Sequence, residues 1–174
     1  MNRRSIRLKD YDYSQDGLYF ITICINEKEC LFGKIEQGKM LLNDAGFMVK
    51  NYYLELENKF CNVRCGKYVI MPNHFHCIIH IENTVGVDLC VNPIKKGEHI
   101  GSPLPRIIQW FKTMTTNAYI NGVKTKNWKQ FNKRLWQRNY YEHIIRNEKS
   151  CTEIYDYIVN NPLKWDLDEL NPQN

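Results

Sequence analysis

The 174-residue sequence predicts a single α+β domain, a ferredoxin-like (RRM-like) antiparallel sheet with helices on one face. Three observations predict it. Strand-length apolar runs and amphipathic stretches follow one another as strand, hairpin, helix, two strands, helix, strand, helix. Hydrophobic residues make up 43% and aromatic residues 13%, enough for one core and too much for a disordered chain. No internal repeat, low-complexity tract or composition break divides residues 1–174.

Residues 1–17 read as a polar lead-in, with Arg3, Arg4, Arg7 and Lys9 as a basic arm and a turn at Asp16-Gly17. Leu18 to Ile25 is a near-continuous run of strand formers, the mark of a central strand. Leu31–Glu36 and Lys39–Leu42 flank Gln37-Gly38 as a hairpin. Asn43-Asp44 caps a helix from Ala45 to about Lys59, in which Phe47, Val49, Tyr52, Tyr53, Leu56 and Phe60 recur at helical spacing. Asn62 to Ile70 returns to strand. Residues 83–105 hold six glycines and prolines and read as a long loop. Ser102 caps a second helix, about Leu104 to Asn121, which Asn121-Gly122 ends. Leu135 to Ile145 reads as extended. Asn147 caps a last helix that stops before Pro162.

The stretch from Tyr68 to Ile81 organises the rest. It reads as two strands joined at Met71-Pro72-Asn73. Alternation puts His74, His76, Ile78 and His80 on one face, and Phe75, Cys77, Ile79 and Ile81 on the other. The second set suits a core. In the first, two imidazoles side by side on a rigid ladder suit a divalent metal. The same spacing also fits a half-solvated face. At strand rise His80 lies about 13 Å beyond His76, too far to share a metal, and reads as surface or a nucleic-acid contact.

In the last helix Glu153, Tyr157 and Asn161 are spaced by four and share a face apart from the Cys151, Ile154, Ile158 stripe. A tyrosine hydroxyl on such a face can attack phosphorus if charge is withdrawn from the phosphate. It is also one of eleven tyrosines, and a polar helix face commonly carries one.

The net charge of +5 is unevenly spread. From Arg106 to Lys149 ten basic residues face only Glu142 and Glu148, whereas the short tail after Ser150 is acidic. Trp110, Trp128, Phe131, Trp136, Tyr140 and Tyr141 interleave with the basic block. That combination suits a polyanion with bases to stack. Arg106, Lys112, Lys133, Arg134, Trp136, Arg138 and Arg146 are the candidate contacts. No apolar run approaches the roughly 18 residues of a membrane span, and the basic N-terminus leads into no signal core, so a cytoplasmic, nucleoid-associated protein is expected. Seven scattered cysteines read as reduced thiols, and Cys61 and Cys65, with no second pair, fall short of a structural zinc pattern.

His74-Phe75-His76 after Tyr-Val-Ile-Met-Pro-Asn, the block Trp136 to Asn147, the ending Tyr157-Ile158-Val159-Asn160-Asn161-Pro162 and the opening Arg3 to Leu8 together resemble the REP-associated tyrosine transposases. These are a branch of the single-tyrosine HUH transposases, and the resemblance runs from about residue 3 to 165. It implies an HUH endonuclease fold and strand cleavage of single-stranded hairpin DNA. It implies Tyr157 as nucleophile, forming a 5′-phosphotyrosine, with Mg²⁺ or Mn²⁺ held by His74, His76 and Asn161. Asn161 stands where relatives often carry Gln. Glu142 and His143 lie in the family-like block as possible catalytic support, phosphate contact or a structural pair. Relatives include monomers and homodimers, and the sequence does not choose. Two alternatives stay open: a catalytically silent single-stranded nucleic-acid-binding module of the same fold, and a phosphoesterase that uses activated water.

Overall fold

The computed structural model describes residues 16–82 and 103–173. The basic arm at Arg3, Arg4, Arg7 and Lys9, the Ser102 cap and nearly all of the 83–105 loop lie outside the described residues. The elements are β1 (Gly17–Cys24), β2 (Gly33–Glu36), β3 (Lys39–Leu42), α1 (Asp44–Lys59), β4 (Val63–Ile70), β5 (His74–Ile81), α2 (Pro103–Lys126), β6 (Tyr141–Ile145) and α3 (Glu148–Asn160). Four strands form one antiparallel sheet in the order β4-β5-β1-β6, and β2 and β3 form a separate hairpin. The hairpin turns at Gln37 and Gly38, both with positive φ. This is the predicted α+β class, with β1 and β5 central.

Alternation along β1 and β5 builds the core. Tyr19, Ile21 and Ile23 join Phe75, Cys77, Ile79 and Ile81 on one side. There they meet Val49, Tyr53 and Leu56 of α1 and Ile107, Ile108 and Phe111 of α2. The Tyr53 hydroxyl donates to the carbonyl oxygen of Ile78 at 2.7 Å, satisfying its one buried polar atom. Asn43 caps α1 by accepting from the Gly46 N–H, and Asn147 caps α3 by accepting from the Ser150 N–H. Phe47, counted on the apolar stripe of α1, is half exposed.

Three expectations need correction. First, the helices do not all share one face. α1 and α2 do, but α3 packs on the opposite side, where Ile158 is fully buried against Phe20, Ile78 and Ile145. The strand residues Phe20, Ile78 and Ile145 supply a second apolar strip, which α3 covers with Cys151, Ile154 and Ile158. Second, α2 does not stop at Asn121-Gly122 but runs to Lys126. Gly122 is there because the Trp128 ring crosses it: a Cβ would lie 2.2 Å from that ring. Third, the extended stretch from Leu135 joins the sheet only at Tyr141, apart from one bridge between Trp136 and Ile25. The Lys112 ammonium instead takes the carbonyls of Gln137 and Asn139 at 3.0 and 3.1 Å.

Candidate active site

The site is built on the face that α3 partly covers. Register places His76 opposite Thr22 and His74 opposite Cys24. Both imidazoles are buried, with ring centroids 4.6 Å apart. Their tautomers follow from their partners. The Asn73 amide donates to the carbonyls of Lys28 and Leu170, so its Oδ1 is left to accept, and His74 Nδ1–H donates to it at 2.8 Å. His74 Nε2 therefore carries the lone pair. His76 Nδ1 lies 2.8 Å from Thr22 Oγ1, and its Nε2 lies 3.4 Å from the Tyr157 hydroxyl. With Nδ1–H donating to the threonine, Nε2 also presents a lone pair. A hydrogen bond at the far nitrogen is how proteins orient a ligating histidine.

Tyr157 arrives from α3 and Asn161 from its C-terminal end. Tyr157 packs edge-on against His76 and Phe20, and is 44% exposed. Glu153, Tyr157 and Asn161 all line one groove of about 1020 Å³, as their spacing predicts. Its floor is Phe20, Thr22, Cys24 and His76, and the segment after α3 closes it with Lys164, Asp168 and Glu169. Among the described lysines and arginines only Lys164 lines it, beside Glu153, Asp168 and Glu169.

Among the described residues two buried atoms meet no partner at full hydrogen-bond geometry, His74 Nε2 and Asn161 Oδ1, although the Asn161 side chain lies close enough to act on both His74 and Tyr157. Asp168 Oδ2 stands 3.8 Å from that same His74 nitrogen. Burial holds the His74 imidazole down to about 4 despite Asp168 and then the Asn161 side chain, which both pull it up. His76 is pushed well below its ordinary range by burial and then by His74. Neutral lone pairs thus face a carboxylate and an amide oxygen, an arrangement that asks for a cation between them. Among the described residues no three His, Cys, Asp or Glu side chains make such a site alone. The set that fits is two imidazole nitrogens plus the Asn161 oxygen, a mixed donor set suited to a first-row divalent ion. The Tyr157 hydroxyl is held above its ordinary range, first by burial and then by Asp168, while Asn161 draws it back down.

The other candidates divide. Lys133, Arg134 and Arg138 line a second groove of about 530 Å³, between α2 and the 131–140 segment. Arg106 and Arg146 are exposed and line neither groove. Trp136 is a correction: at 4% exposure it stacks no base, because its ring packs on Phe32 and Phe111 and its indole N–H donates to Thr115. Lys112 is spent largely on loop carbonyls, and burial draws its ammonium down to about 8. Glu142 and His143 do not act as a pair, since neighbouring strand residues point to opposite faces. His143 pairs with Phe20 and lines the active-site groove, whereas Glu142 pairs with Ile21 on the core side. His80 sits at the far end of β5, 3.0 Å from Asp16.

Sequence reasoning missed Thr22, Asn73 and Asp168. Asn73 carried a usable signal, an amide side chain directly before the first histidine. Asp168 read only as part of an acidic tail.

No family model matches the chain. An uncharacterized Haemophilus influenzae protein is 46% identical over 179 residues, which span 97% of this chain and 93% of that protein. A second Haemophilus influenzae protein, provisionally named a REP-associated tyrosine transposase, is 24% identical over 164 residues, 88% of this chain and 74% of its own length. Among solved structures, a REP-associated tyrosine transposase bound to a REP hairpin aligns with a TM-score of 0.58 at 19% identity, covering 91% of this chain and 74% of that one. The chain belongs to one family with the 46%-identical Haemophilus influenzae protein, and it has the fold of the REP-associated tyrosine transposases.

Proposed function

We propose that this protein cleaves and rejoins single-stranded hairpin DNA through Tyr157, with Mg²⁺ or Mn²⁺ held by His74, His76 and Asn161. The observation that carries the reading is the Tyr157 hydroxyl 3.4 Å from His76 Nε2, beside the buried His74 Nε2 and Asn161 Oδ1, which meet no partner at full hydrogen-bond geometry among the described residues. A bound divalent ion supplies a Lewis acid that offsets phosphate charge and stabilises the leaving oxygen. The protein supplies the rest. The Tyr157 oxygen forms the bond to phosphorus as the bond to the 3′ oxygen breaks. Tyr157 gives up its proton and the 3′ oxygen gains one, so the exchange of esters needs no ATP. A 5′-phosphotyrosine and a free 3′-OH result, and attack by another 3′-OH reverses the step. Lys133, Arg134 and Arg138 offer charge for the hairpin's backbone outside the active-site groove.

The test is a denaturing gel with purified protein, Mn²⁺ or Mg²⁺, and labelled hairpin DNA from the flanks of its own gene. A covalent band in wild type, absent in Tyr157→Phe and His74→Ala, is the expected result. One observation favours the silent binding module instead: the groove at Tyr157 is lined by three carboxylates and one lysine, a poor cradle for phosphate without a cation. A retarded native complex with no covalent band would select that reading. Cleavage that survives Tyr157→Phe would select activated water.

A further inference from the structure

We infer that Tyr141, His143 and Glu153 form a nucleobase subsite beside the reaction centre, which takes a base bearing an exocyclic amine. The inference rests on the single-strand DNA reading above and specifies what that groove binds.

Tyr141 and His143 project from β6, the edge strand, on the face that carries the histidines. Tyr141 pairs with Thr22, and Thr22 pairs with His76, so the three are level across the sheet. Tyr141 is 54% exposed, unusual for so large a ring inside a groove. It leans edge-on against Phe20, with centroids 6.4 Å apart. Phe20 in turn lies flat on His76 at 5.5 Å and meets Tyr157 edge-on at 5.9 Å. An unbroken aromatic row therefore runs from the nucleophile to the open rim. An exposed aromatic ring beside a single-strand track is where a base stacks.

The rim beyond Tyr141 has the chemistry of a base edge rather than of a phosphate. His143 lies one two-residue strand step past Tyr141, about 6.8 Å. Glu153 lies four residues before Tyr157 on α3, about 6 Å along the helix. Both line the same groove. A carboxylate repels backbone phosphate but accepts a hydrogen bond from an exocyclic amine such as cytosine N4. Thymine presents a carbonyl there. Lys149 stands 4.0 Å from Glu153, but both side chains are mostly exposed, so this pair leaves the carboxylate available.

The probes are three labelled decamers, dC10, dT10 and an abasic chain, titrated into the full protein in EDTA and read by fluorescence anisotropy. Thymine differs from cytosine at the 4-position and at N3, and its C5-methyl group adds stacking area, so a preference for dC10 cannot come from stacking. The expected order is dC10 tighter than dT10, and dT10 tighter than the abasic chain. Tyr141→Ala should weaken dC10 about tenfold and leave the abasic chain unchanged, the size of one stacked base. Tyr141→Phe should restore it, because the ring rather than the hydroxyl stacks, and the unchanged abasic chain is the result that a merely structural loss would not give. Glu153→Gln should bring dC10 and dT10 to within about twofold of one another. Unchanged dC10 affinity in Tyr141→Ala overturns the subsite. Equal wild-type affinity for dC10 and dT10 overturns the role of Glu153. The two levels separate cleanly. A wild type that forms the covalent band while Tyr141→Ala binds normally refutes only the subsite. A wild type that binds no hairpin and forms no covalent band with Mn²⁺ present refutes the underlying function.

Discussion

The Tyr157 hydroxyl and His76 Nε2 lie 3.4 Å apart across 81 residues of sequence. Two separate packing interactions make that meeting. β5 fixes the imidazole between Thr22 and Val69. Ile158, beside the tyrosine on α3, is fully buried against Phe20, Ile78 and Ile145 and holds the helix down. The hydroxyl itself contributes little to holding the fold, since its bond is long and the side chain is half exposed. Tyr157→Phe should therefore change unfolding free energy by less than about 0.5 kcal/mol in urea titration, while abolishing the covalent product. A variant that lost both together would show the tyrosine to be structural.

Asn161 tests the cation site without relying on activity. Its Oδ1 is buried and meets no partner at full hydrogen-bond geometry among the described residues, a state that costs up to about 1–3 kcal/mol. In EDTA, Asn161→Leu should be no less stable than wild type. In calorimetric titration with Mn²⁺ the same variant should bind at least about tenfold more weakly, as should His74→Ala. Normal Mn²⁺ affinity in both variants would dismiss the site.

Much of this was legible in the sequence because strand alternation is unforgiving. His-x-His with Phe75 between the two and Cys77 after them leaves one arrangement once Phe75 must face the core. Spacing by four likewise placed Glu153, Tyr157 and Asn161 on one groove wall. What failed were residues whose role depends on a distant partner. Trp136 carries the composition of a stacking residue but is consumed by Phe32, Phe111 and Thr115. Lys112 counts as one more positive charge until α2 sets it under the 137–139 carbonyls. Asp168 enters the site only because the chain turns back after Pro162, and no periodicity announces that.

Acid should destabilise the protein through its paired histidines. In the unfolded chain they bind protons near pH 6.5. In the folded chain burial delays His74 to about 4, and His76 is pushed down as well. Between about pH 6.5 and 4 the unfolded chain binds more protons, so stability is full above that window and falls as pH falls through it. The urea midpoint should drop from pH 7 to pH 5, and drop less in His74→Met/His76→Met. An equally steep fall in the double variant would assign the effect to other groups.

Gly122 should resist replacement although it lies inside a helix. Alanine normally gains about 1 kcal/mol over glycine in a helix interior. Here its Cβ would meet the Trp128 ring at 2.2 Å, and that ring is wedged against Tyr119. Overpacking of this kind costs about 1–3 kcal/mol, so Gly122→Ala should lower rather than raise stability. Thermal unfolding decides the sign.

Lys112 should matter to the second groove through position rather than through charge. Its Nζ donates to the carbonyls of Gln137 and Asn139, and its ammonium sits 5.4 Å from the Tyr140 ring. These contacts hold the segment that presents Arg138 and leads into β6. Lys112→Met keeps the apolar stem and removes the donor, leaving the part-buried Gln137 carbonyl and the exposed Asn139 carbonyl to water and loosening the segment. Amide exchange at residues 138–141 should quicken more than exchange in β1 or β5, because the loss is local. Hairpin binding should weaken through the displaced Arg138, and Arg138→Ala should add little once Lys112 is changed. Fully additive losses in the double variant would mean that Lys112 meets the DNA itself.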